Sequence, residues 1–364
     1  MKKSTLLLLI LCTSAFAFSQ SRQTENIILI TFDGLRWQEL FGGADSVLIN
    51  DSVYTESRKA IKEKYWAASA EERRKKVFPF IWGTVAQQGQ LYGNRGYNNK
   101  VDNANPHWFS YPGYNEILTG YPDTAVNSND KIPNKHETVL EFINKQSAYK
   151  GKVAAFTSWD VFDFIINEKR SGVLVNSGID KMEAQYASNP AIKVLNEMQF
   201  MAPQPLGAGI RPDVITYYLA KEYLLQYRPK VLYIAFDETD DWAHNGKYDN
   251  YLHAANFTDR YIQDIWNAIQ AMPQYKGKTT LILTTDHGRG DINKKQWRDH
   301  GHDVKDAYEI WFAAMGPDTP PMGEVKTAGQ LYQKQVAATI AKCLGMNYTA
   351  KHPIAEPIST IFKK

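Results

Sequence analysis

Short runs of apolar residues recur along the chain, and longer amphipathic stretches separate them. The first run, residues 26–33 (NIILITFD), is too continuous for a strand with one face in water. Further strand patterns cover 152–156, 230–236, 279–285 and 310–314. Helical patterns cover 136–146, 213–227, 251–272 and 330–344. This alternation predicts an α/β fold, with a mostly parallel central sheet and helices on both faces.

Two regions interrupt the alternation, and we predict that they are insertions forming a small cap or rim. The first lies near residues 44–76 and contains a capping-box pattern at 69–72, followed by four cationic residues. We interpret the cationic run as a helix face, because an anion-binding patch is the rarer outcome. The second insertion lies near residues 172–212 and contains several Pro and Gly residues.

The first residues have the pattern of a secretory signal peptide. Lys2 and Lys3 precede an apolar run at 6–11, and small residues suited to a signal peptidase follow. The run is too short for a stable anchor, although an anchor is the alternative interpretation. We therefore predict a signal peptide at 1–19 and a single α/β domain with insertions at 20–364, exported to the periplasm or secreted.

Composition narrows the classes of function. The 364 residues carry a formal net charge of only +3, which argues against a protein dedicated to duplex nucleic acid. Cys12 lies in the predicted signal, so Cys343 is the single cysteine of the predicted mature chain. We predict that Cys343 is buried and inert. The sequence does not indicate an oligomeric state.

Acidic and histidine residues are concentrated where the predicted strands end. Asp33 follows the first strand, and residues 237–244 (DETDDWAH) follow another. Asp286 and His287 follow a third, and residues 299–303 (DHGHD) come shortly after. Because ligands bind at the carboxyl ends of parallel strands, we expect these groups to converge. Carboxylates and imidazoles together suit zinc, manganese or iron better than calcium.

The order of these motifs resembles the alkaline phosphatase superfamily, particularly its type I phosphodiesterase/nucleotide pyrophosphatase branch. The resemblance rests on the pairs Asp33-Gly34 and His300-Gly301, the spacing of Asp240 and His244, the motif at 286–288 (DHG), and the segment 109–120 (FSYPGYNEILTG). It implies that Ser110 is the nucleophile. It also implies two divalent ions, Zn²⁺ or alternatively Mn²⁺. The implied ligands of one ion are Asp240, His244 and His300, with His302 as the alternative to His300. Those of the other are Asp33, Ser110, Asp286 and His287.

The implied reaction is hydrolysis of a small phosphate ester through a covalent phosphoserine. A serine hydroxyl is a poor nucleophile, and coordination to a dication lowers its pKa. A predicted helix at 114–118 follows Ser110, and a helix N-terminus favours anionic oxygens. For Ser110 taken alone, the alternative role is a helix N-cap. The histidines outside the set are interpreted as structural: His107, His136, His253 and His352.

The sequence favours a diester over a monoester. Secreted monoesterases that resemble this chain can carry a Lys and Arg pair where this chain has residues 158–161 (SWDV). Arg36, Lys169, Arg170 or Arg289 could substitute for that pair. We name Asn115 and Arg289 as candidate substrate-binding residues, with Asn105 as an alternative to Asn115. Aromatic residues that could line a rim for the second ester group, or pack in the core, are Trp108, Tyr111, Tyr114 and Trp159.

Other members of the superfamily give alternative functions. A phosphomonoesterase would use the same ligands. A sulfatase is disfavoured because Tyr114 stands where such enzymes have an arginine. A phosphoryl-transferring mutase is disfavoured by the predicted signal and by the segment around Ser110. A non-catalytic binding protein is disfavoured because every implied ligand position carries a competent residue.

Overall fold

The computed structural model describes residues 22–363, so the predicted signal peptide lies outside the described residues. The strands are β1 (Asn26–Phe32), β2 (Gln90–Tyr92), β3 (Asn99–Asp102), β4 (Val153–Thr157), β5 (Leu174–Ser177), β6 (Val231–Phe236), β7 (Thr279–Thr285), β8 (Glu309–Ile310), β9 (Phe312–Met315), β10 (Gly323–Glu324) and β11 (Gly329–Tyr332). The α-helices are α1 (Trp37–Gly42), α2 (Arg58–Tyr65), α3 (Ala70–Val77), α4 (Ala86–Gln88), α5 (Ser110–Thr119), α6 (Val139–Asn144), α7 (Phe162–Ile165), α8 (Glu168–Ser171), α9 (Pro190–Met201), α10 (Asp213–Tyr227), α11 (Glu238–His244), α12 (Tyr248–Ala271) and α13 (Gln335–Cys343).

The central sheet has eight strands in the order β10-β2-β9-β7-β1-β6-β4-β5. The five strands from β7 to β5 are mutually parallel, and β9 runs antiparallel to β7. A second sheet has the order β11-β3-β8. The predicted α/β class with a mostly parallel sheet is confirmed.

Strand β1 shows why helices cover both faces of the sheet. All of its residues are buried, and successive side chains point to opposite faces. Ile28 and Ile30 pack into one hydrophobic core, whereas Ile27 and Leu29 pack into the other. A strand buried on both faces must be apolar at every position, which explains the continuous run in the sequence.

The strand register fixes where the acidic residues meet. Phe32, the last residue of β1, is level with Phe236 of β6 and with Thr285 of β7. Asp33 is therefore the next residue at the same edge as Asp286, and its backbone N–H donates to the Phe236 carbonyl at 2.9 Å. The predicted convergence at the carboxyl ends is confirmed.

Two predicted elements near the C-terminus differ from the structure. The helix predicted at 330–344 begins only at Gln335, and residues 329–332 form β11, which pairs in parallel with β3. The strand predicted at 310–314 is divided at Trp311 into β8 and β9, which belong to different sheets. In both places pairing with distant strands, which local periodicity does not contain, decides the conformation.

The two predicted insertions contain regular elements. The first contains α2 and α3, and the Ser69 side chain caps α3 by accepting the N–H of Glu72. The cationic run makes ion pairs within the protein, Lys75 with Glu71 one turn away and Arg74 with the distant Glu324, as the structural interpretation expects. The second contains α9 and also β5, the edge strand of the central sheet. The domain boundaries themselves stay a prediction.

Other structural predictions agree with the described residues. Cys343 is buried and unpaired, and burial raises its pKa to about 12. The four histidines set aside as structural make hydrogen bonds within the protein; His136, for example, contacts Asp123 at 2.7 Å. Within residues 22–363, no helix combines the length and the apolar character needed to cross a bilayer.

Candidate metal centre and nucleophile

Three side chains form the first group of candidate metal ligands. Asp240 and His244 lie one turn apart on α11, and His300 comes from the loop between β7 and β8. His244 Nε2 lies 3.1 Å from Asp240 Oδ2 and 2.9 Å from His300 Nε2. His300 Nε2 lies 3.6 Å from Asp240 Oδ1. These atoms face a common point, as the ligands of one cation do.

A second group lies beside the first, at the ends of β1 and β7. His287 Nε2 lies 3.4 Å from Asp33 Oδ1 and 3.4 Å from Asp286 Oδ2. The same nitrogen lies 3.8 Å from Asp240 Oδ1, which links the two groups. Ser110, the first residue of α5, places its Oγ 3.5 Å from His287 Nε2. The structure therefore brings all the predicted ligands together.

Two glycines allow this close approach. Gly34 has a φ of +56°, and a Cβ there would lie 2.7 Å from Asp240 Oδ1. Gly113 lies on the first turns of α5, where a Cβ would lie 2.4 Å from the Asp286 carbonyl oxygen. Any larger residue at either place would push α11 or α5 away from the strand ends.

The second group has an unusual charge balance. Burial, followed by repulsion from Asp240, raises the pKa of Asp33. Burial, followed by repulsion from Asp33, raises the pKa of Asp286 well above its usual range. Burial opposes charge on His287, but the Asp286 and Asp33 carboxylates outweigh it and raise its pKa to about 9. The positive charge of His287 thus does not balance the negative charge of the Asp33 and Asp286 carboxylates.

The first group is balanced differently. Burial opposes ionisation of Asp240, but Arg289 and His244 hold its pKa well below the usual range. Burial and the neighbouring His287 lower the pKa of His300 well below its usual value. A neutral imidazole is the form that binds a metal.

Unpaired atoms show that these groups fit metal ions. Asp33 Oδ1 and Asp286 Oδ2 are buried and have no hydrogen-bond partner among the residues that the structure describes. A buried carboxylate oxygen without a partner is costly, so native proteins pair it or bind a cation with it. Two divalent cations, one at each group, would supply the missing charge, and mixed imidazole and carboxylate ligands suit zinc or manganese.

The alternative ligand His302 lies outside both groups. Its side chain is 70% exposed and contacts Asp303 at 3.2 Å. The His300 side chain is only 13% exposed, and its Nε2 faces Asp240 and His244. The geometry supports His300 over His302.

The two candidate substrate-binding residues contact the protein itself. The Asn115 side chain donates to the Tyr121 carbonyl at 3.0 Å and accepts from Asn134 at 3.0 Å. Arg289 donates to Gly34 O, to Arg298 O and to the Asp240 side chain. These contacts favour structural roles, with Arg289 orienting Asp240. A role in substrate binding stays a prediction for both.

Most cations proposed as substitutes for a phosphate-binding pair are engaged elsewhere. Arg36 is fully buried and pairs with Glu39. Arg170 pairs with Glu141 at 2.8 Å. At the end of β4, Asp160 pairs with Lys131 at 2.7 Å, a lysine that the sequence analysis did not single out.

Sequence reasoning missed one residue beside the nucleophile, Asn129, and one contact, made by Tyr114. Asn129 Oδ1 accepts the backbone N–H of Tyr111 at 3.0 Å, which places an amide at the N-terminus of α5 next to Ser110. Tyr114 donates its hydroxyl to Asp33 Oδ2 at 2.8 Å. Tyr111 and Tyr114 are 4% and 1% exposed, so the core, one of the two roles considered for them, is confirmed and a place in the rim is excluded. No local pattern marks Asn129, because its position depends on the path of a loop.

Comparison with known families adds to this geometry. The sequence profile of the family described as type I phosphodiesterase / nucleotide pyrophosphatase matches residues 44–344. Among curated proteins, a 2,3-bisphosphoglycerate-independent phosphoglycerate mutase from Gracilaria tenuistipitata var. liui is 39% identical over 62 residues. That match covers 17% of this chain and spans only 11% of the mutase.

Solved structures share the fold at low sequence identity. The wild-type alkaline phosphatase PafA matches with a TM-score of 0.60 and 10% identity, over 94% of this chain and 99% of PafA. The murine ectonucleotide pyrophosphatase/phosphodiesterase 5 matches with a TM-score of 0.55 and 11% identity, over 93% of this chain and all of that chain (100%). A protein described as a putative sulfatase from Bacteroides thetaiotaomicron matches with a TM-score of 0.58 and 12% identity, over 93% and 72% of the two chains.

Proposed function

The chain belongs to the type I phosphodiesterase/nucleotide pyrophosphatase family, and from this premise we propose that it is an exported two-metal hydrolase of small phosphate esters, with a preference for diesters. The observation that carries the proposal is the convergence of Ser110 with two groups of carboxylates and imidazoles at one edge of the sheet. Ser110 would act as the nucleophile through a covalent phosphoserine.

The residues of the candidate site would have two kinds of role, holding metal ions and orienting the residues that hold them. Asp240, His244 and His300 would hold one divalent ion, and Asp33, Asp286, His287 and Ser110 would hold the other. When bound, zinc or manganese ions would lower the pKa of the Ser110 hydroxyl and stabilise negative charge on the phosphoryl oxygens. Arg289 would orient Asp240, and Tyr114 would orient Asp33, through their hydrogen bonds.

Ser110 would take part in both chemical steps. Its Oγ gives up a proton and attacks phosphorus, and the bond from phosphorus to the leaving oxygen breaks. Water then attacks the phosphoserine and returns Ser110 to its starting state. At the start of α5, Tyr111 gives its N–H to Asn129, Pro112 has none, and Gly113 gives its N–H to the Phe109 carbonyl. The Ser110 N–H and the Asn129 amide would therefore be the donors to phosphoryl oxygens.

The diester preference is supported by the balance of charge near Ser110. A monoester dianion needs strong positive charge around its non-bridging oxygens, and Arg or Lys commonly supplies it. Here Arg289 is engaged by Asp240, and Lys131 is engaged by Asp160. A diester carries one negative charge fewer, so it needs less compensation. Export is supported by the signal-peptide pattern of residues 1–19.

A paired rate measurement tests the proposal. Protein without residues 1–19, loaded with zinc or manganese, is given bis(4-nitrophenyl) phosphate, 4-nitrophenyl phosphate and 4-nitrophenyl sulfate, each with and without a chelator. Ser110→Ala, prepared in parallel, is the control for contaminating hydrolases. We expect the diester to be cleaved fastest and the activity to be lost on chelation.

The other outcomes are equally informative. Faster cleavage of the monoester would replace the diester preference with a phosphomonoesterase function and make Lys131 the first residue to replace. Faster cleavage of the sulfate would contradict the phosphate-ester assignment. Hydrolysis that survives both chelation and Ser110→Ala would contradict the mechanism.

A further inference from the structure

The turn that carries Asp286 and His287 has backbone carbonyls that the ladder between β7 and β9 does not reach. The last residue of β7 that pairs with β9 is Thr284, which lies opposite Phe312. The next two carbonyls, those of Thr285 and Asp286, belong to fully buried residues beyond the end of that ladder. Buried carbonyl groups need hydrogen-bond donors, so other parts of the chain have to supply them.

Two buried side-chain amides supply these donors. Gln333 Nε2 donates to the Thr285 carbonyl at 2.9 Å and to the Asp286 carbonyl at 2.7 Å. Asn103 Nδ2 donates to the same Asp286 carbonyl and to Gln333 Oε1, both at 2.7 Å. Gln333 is 0% exposed and Asn103 is 6% exposed. Each amide thus uses both of its N–H bonds, and the contacts are shielded from water.

The orientation of the two amides follows from their partners. The carbonyls of Thr285 and Asp286 can only accept hydrogen bonds, so Gln333 has to face them with its NH₂ group. The Gln333 oxygen then faces Asn103, which must present its own NH₂ group in turn. A side chain without N–H donors at position 333 would remove a partner from both carbonyls at once, and an unpaired buried acceptor is costly.

Both amides come from the smaller sheet, at the ends of neighbouring strands. Asn103 follows β3, and Gln333 follows β11, which pairs in parallel with β3. The Gln333 N–H donates to the Asp102 carbonyl at 2.9 Å, and the Asn103 N–H donates to the Tyr308 carbonyl at 3.0 Å. The backbone of both residues is therefore fixed by hydrogen bonds, so the amides reach the turn from a rigid support.

The same turn contacts α5, the helix that begins with the candidate nucleophile. A Cβ at Gly113 would lie 2.4 Å from the Asp286 carbonyl oxygen, so the α5 backbone packs directly on this group. The residue after Gln333, Lys334, donates its N–H to Glu116 of α5 at 2.9 Å. The Asp286 carbonyl is thus enclosed by the two amides and by α5, and a shift of the turn would also displace the start of this helix.

We infer that Asn103 and Gln333 are positioning residues, which fix the turn at 285–287 and thereby set how tightly the second ligand group binds its divalent ion. The inference rests on the metal centre of the proposed function. The carboxylates of Asp33 and Asp286 repel each other while no cation lies between them. A turn that the amides hold against this repulsion keeps its ligands in place before the ion arrives, so less is lost in ordering them on binding.

Competition for zinc measures this affinity without any need for hydrolysis. Metal-free protein is titrated with zinc in the presence of a chromophoric chelator of known affinity. The variants are Gln333→Met, Asn103→Leu and the double variant, which approximately keep the side-chain volumes and remove the donors. Gln90→Met is the matched control, because Gln90 on β2 is also 0% exposed and donates to a backbone carbonyl, that of Pro320, at 2.8 Å.

The expected result is a loss confined to one of two zinc ions. Gln333→Met weakens one binding step by about 10-fold, the lower end of what a residue behind a metal ligand contributes, and changes the other by less than about two-fold. Asn103→Leu weakens the same step. The double variant loses less than the product of the two single losses, because hydrogen-bonded residues act together. Excess zinc restores most of the diester hydrolysis, and Gln90→Met binds both ions as the wild type does.

The contrary results separate this inference from the proposed function. Wild-type zinc affinities in Gln333→Met and Asn103→Leu, with urea unfolding showing that both are folded, overturn the positioning role and leave the proposed function standing. An equal weakening in Gln90→Met does the same, because the loss would then follow from general destabilisation. A wild-type protein that binds two zinc ions but does not cleave the diester removes the proposed hydrolysis, and the zinc affinities still decide the positioning role. A wild-type protein that binds no zinc removes both.

Discussion

Two regions beside helix α5 differ in how fully their buried carboxylates are hydrogen-bonded. Glu116, on α5, is fully buried and accepts N–H groups from Ala104, Asn105 and Lys334 at 2.8–3.1 Å. Asp286 is also fully buried, but its Oδ1 accepts from Gly34 and its Oδ2 has no partner within residues 22–363. The protein itself supplies hydrogen-bond donors to the Glu116 carboxylate, whereas Asp286 Oδ2 is left unpaired among the described residues.

The difference separates a structural carboxylate from one that we propose binds a metal ion. Glu116 joins three separate parts of the chain, and through Asn105 it holds the segment before Ser110. Asp286 faces Asp33, another carboxylate with an unpaired oxygen. Burial alone does not distinguish the two sites. The hydrogen-bond satisfaction of each oxygen does, because a folded protein tolerates an unpaired buried acceptor chiefly where a ligand completes it.

The largest expected effect on the functional side of this comparison comes from Ser110→Ala. We expect kcat for the diester to fall by at least about 10³-fold, because the nucleophile is lost. Metal content and the free energy of unfolding should change little, since one hydroxyl is removed from a site that folding does not depend on. Steady-state rates, metal analysis and trapping of phosphoprotein check this. Substantial residual turnover with unchanged kinetics would remove Ser110 from its role.

Replacing candidate ligands should give the next largest effect. Asp240→Ala or His300→Ala should lower the metal-to-protein ratio and lower the rate by at least about 100-fold. A residue that only hydrogen-bonds to a metal ligand contributes up to about that factor, and a ligand itself should contribute no less. His302→Ala is the matched control, because His302 lies on the same loop with an exposed side chain. Metal analysis after dialysis gives the ratio. Full metal occupancy in Asp240→Ala and His300→Ala would contradict the ligand assignment. A larger effect of His302→Ala than of His300→Ala would make His302 the ligand instead of His300.

A smaller effect, on stability, tests the comparison directly. In chelator-treated protein, Glu116→Gln should lower the free energy of unfolding by about 2–4 kcal/mol, because an amide cannot accept all the N–H groups that the carboxylate does. Asp286→Asn should leave that free energy unchanged or raise it, because it removes repulsion with Asp33. Urea unfolding of both variants with chelator provides the measurement. Equal losses in the two variants would mean that both carboxylates are structural.

Much of the candidate site follows from the sequence because it depends on strand ends. A buried parallel strand is recognisable from its continuous apolar run, and the residue after it must lie at the carboxyl edge. That rule placed Asp33, Asp286 and His287 together before any register was known. The family resemblance then selected His300 over His302, which the geometry supports.

The remaining features depend on loop paths that periodicity does not encode. Asn129 reaches Tyr111 through a loop, and Tyr308 meets Trp108 because two loops cross. Strand β11 forms by pairing with β3 far away in the sequence, where the local pattern favours a helix. Arg289 faces Asp240 instead of the solvent, because both side chains lie close together in the folded protein. The residues next to Arg289 in the sequence do not indicate this contact.

The position of β1 at the centre of the sheet has a consequence for the order of events during synthesis. Its two neighbours, β6 and β7, are made only after the chain has grown to Phe236 and to Thr285. Until then this buried strand has no partner on either side, and His300 has not yet been made. Non-local pairing of this kind slows folding and leaves a nascent chain open to aggregation. A protein built this way benefits from being held unfolded until it is complete, and its candidate metal ligands come together only afterwards.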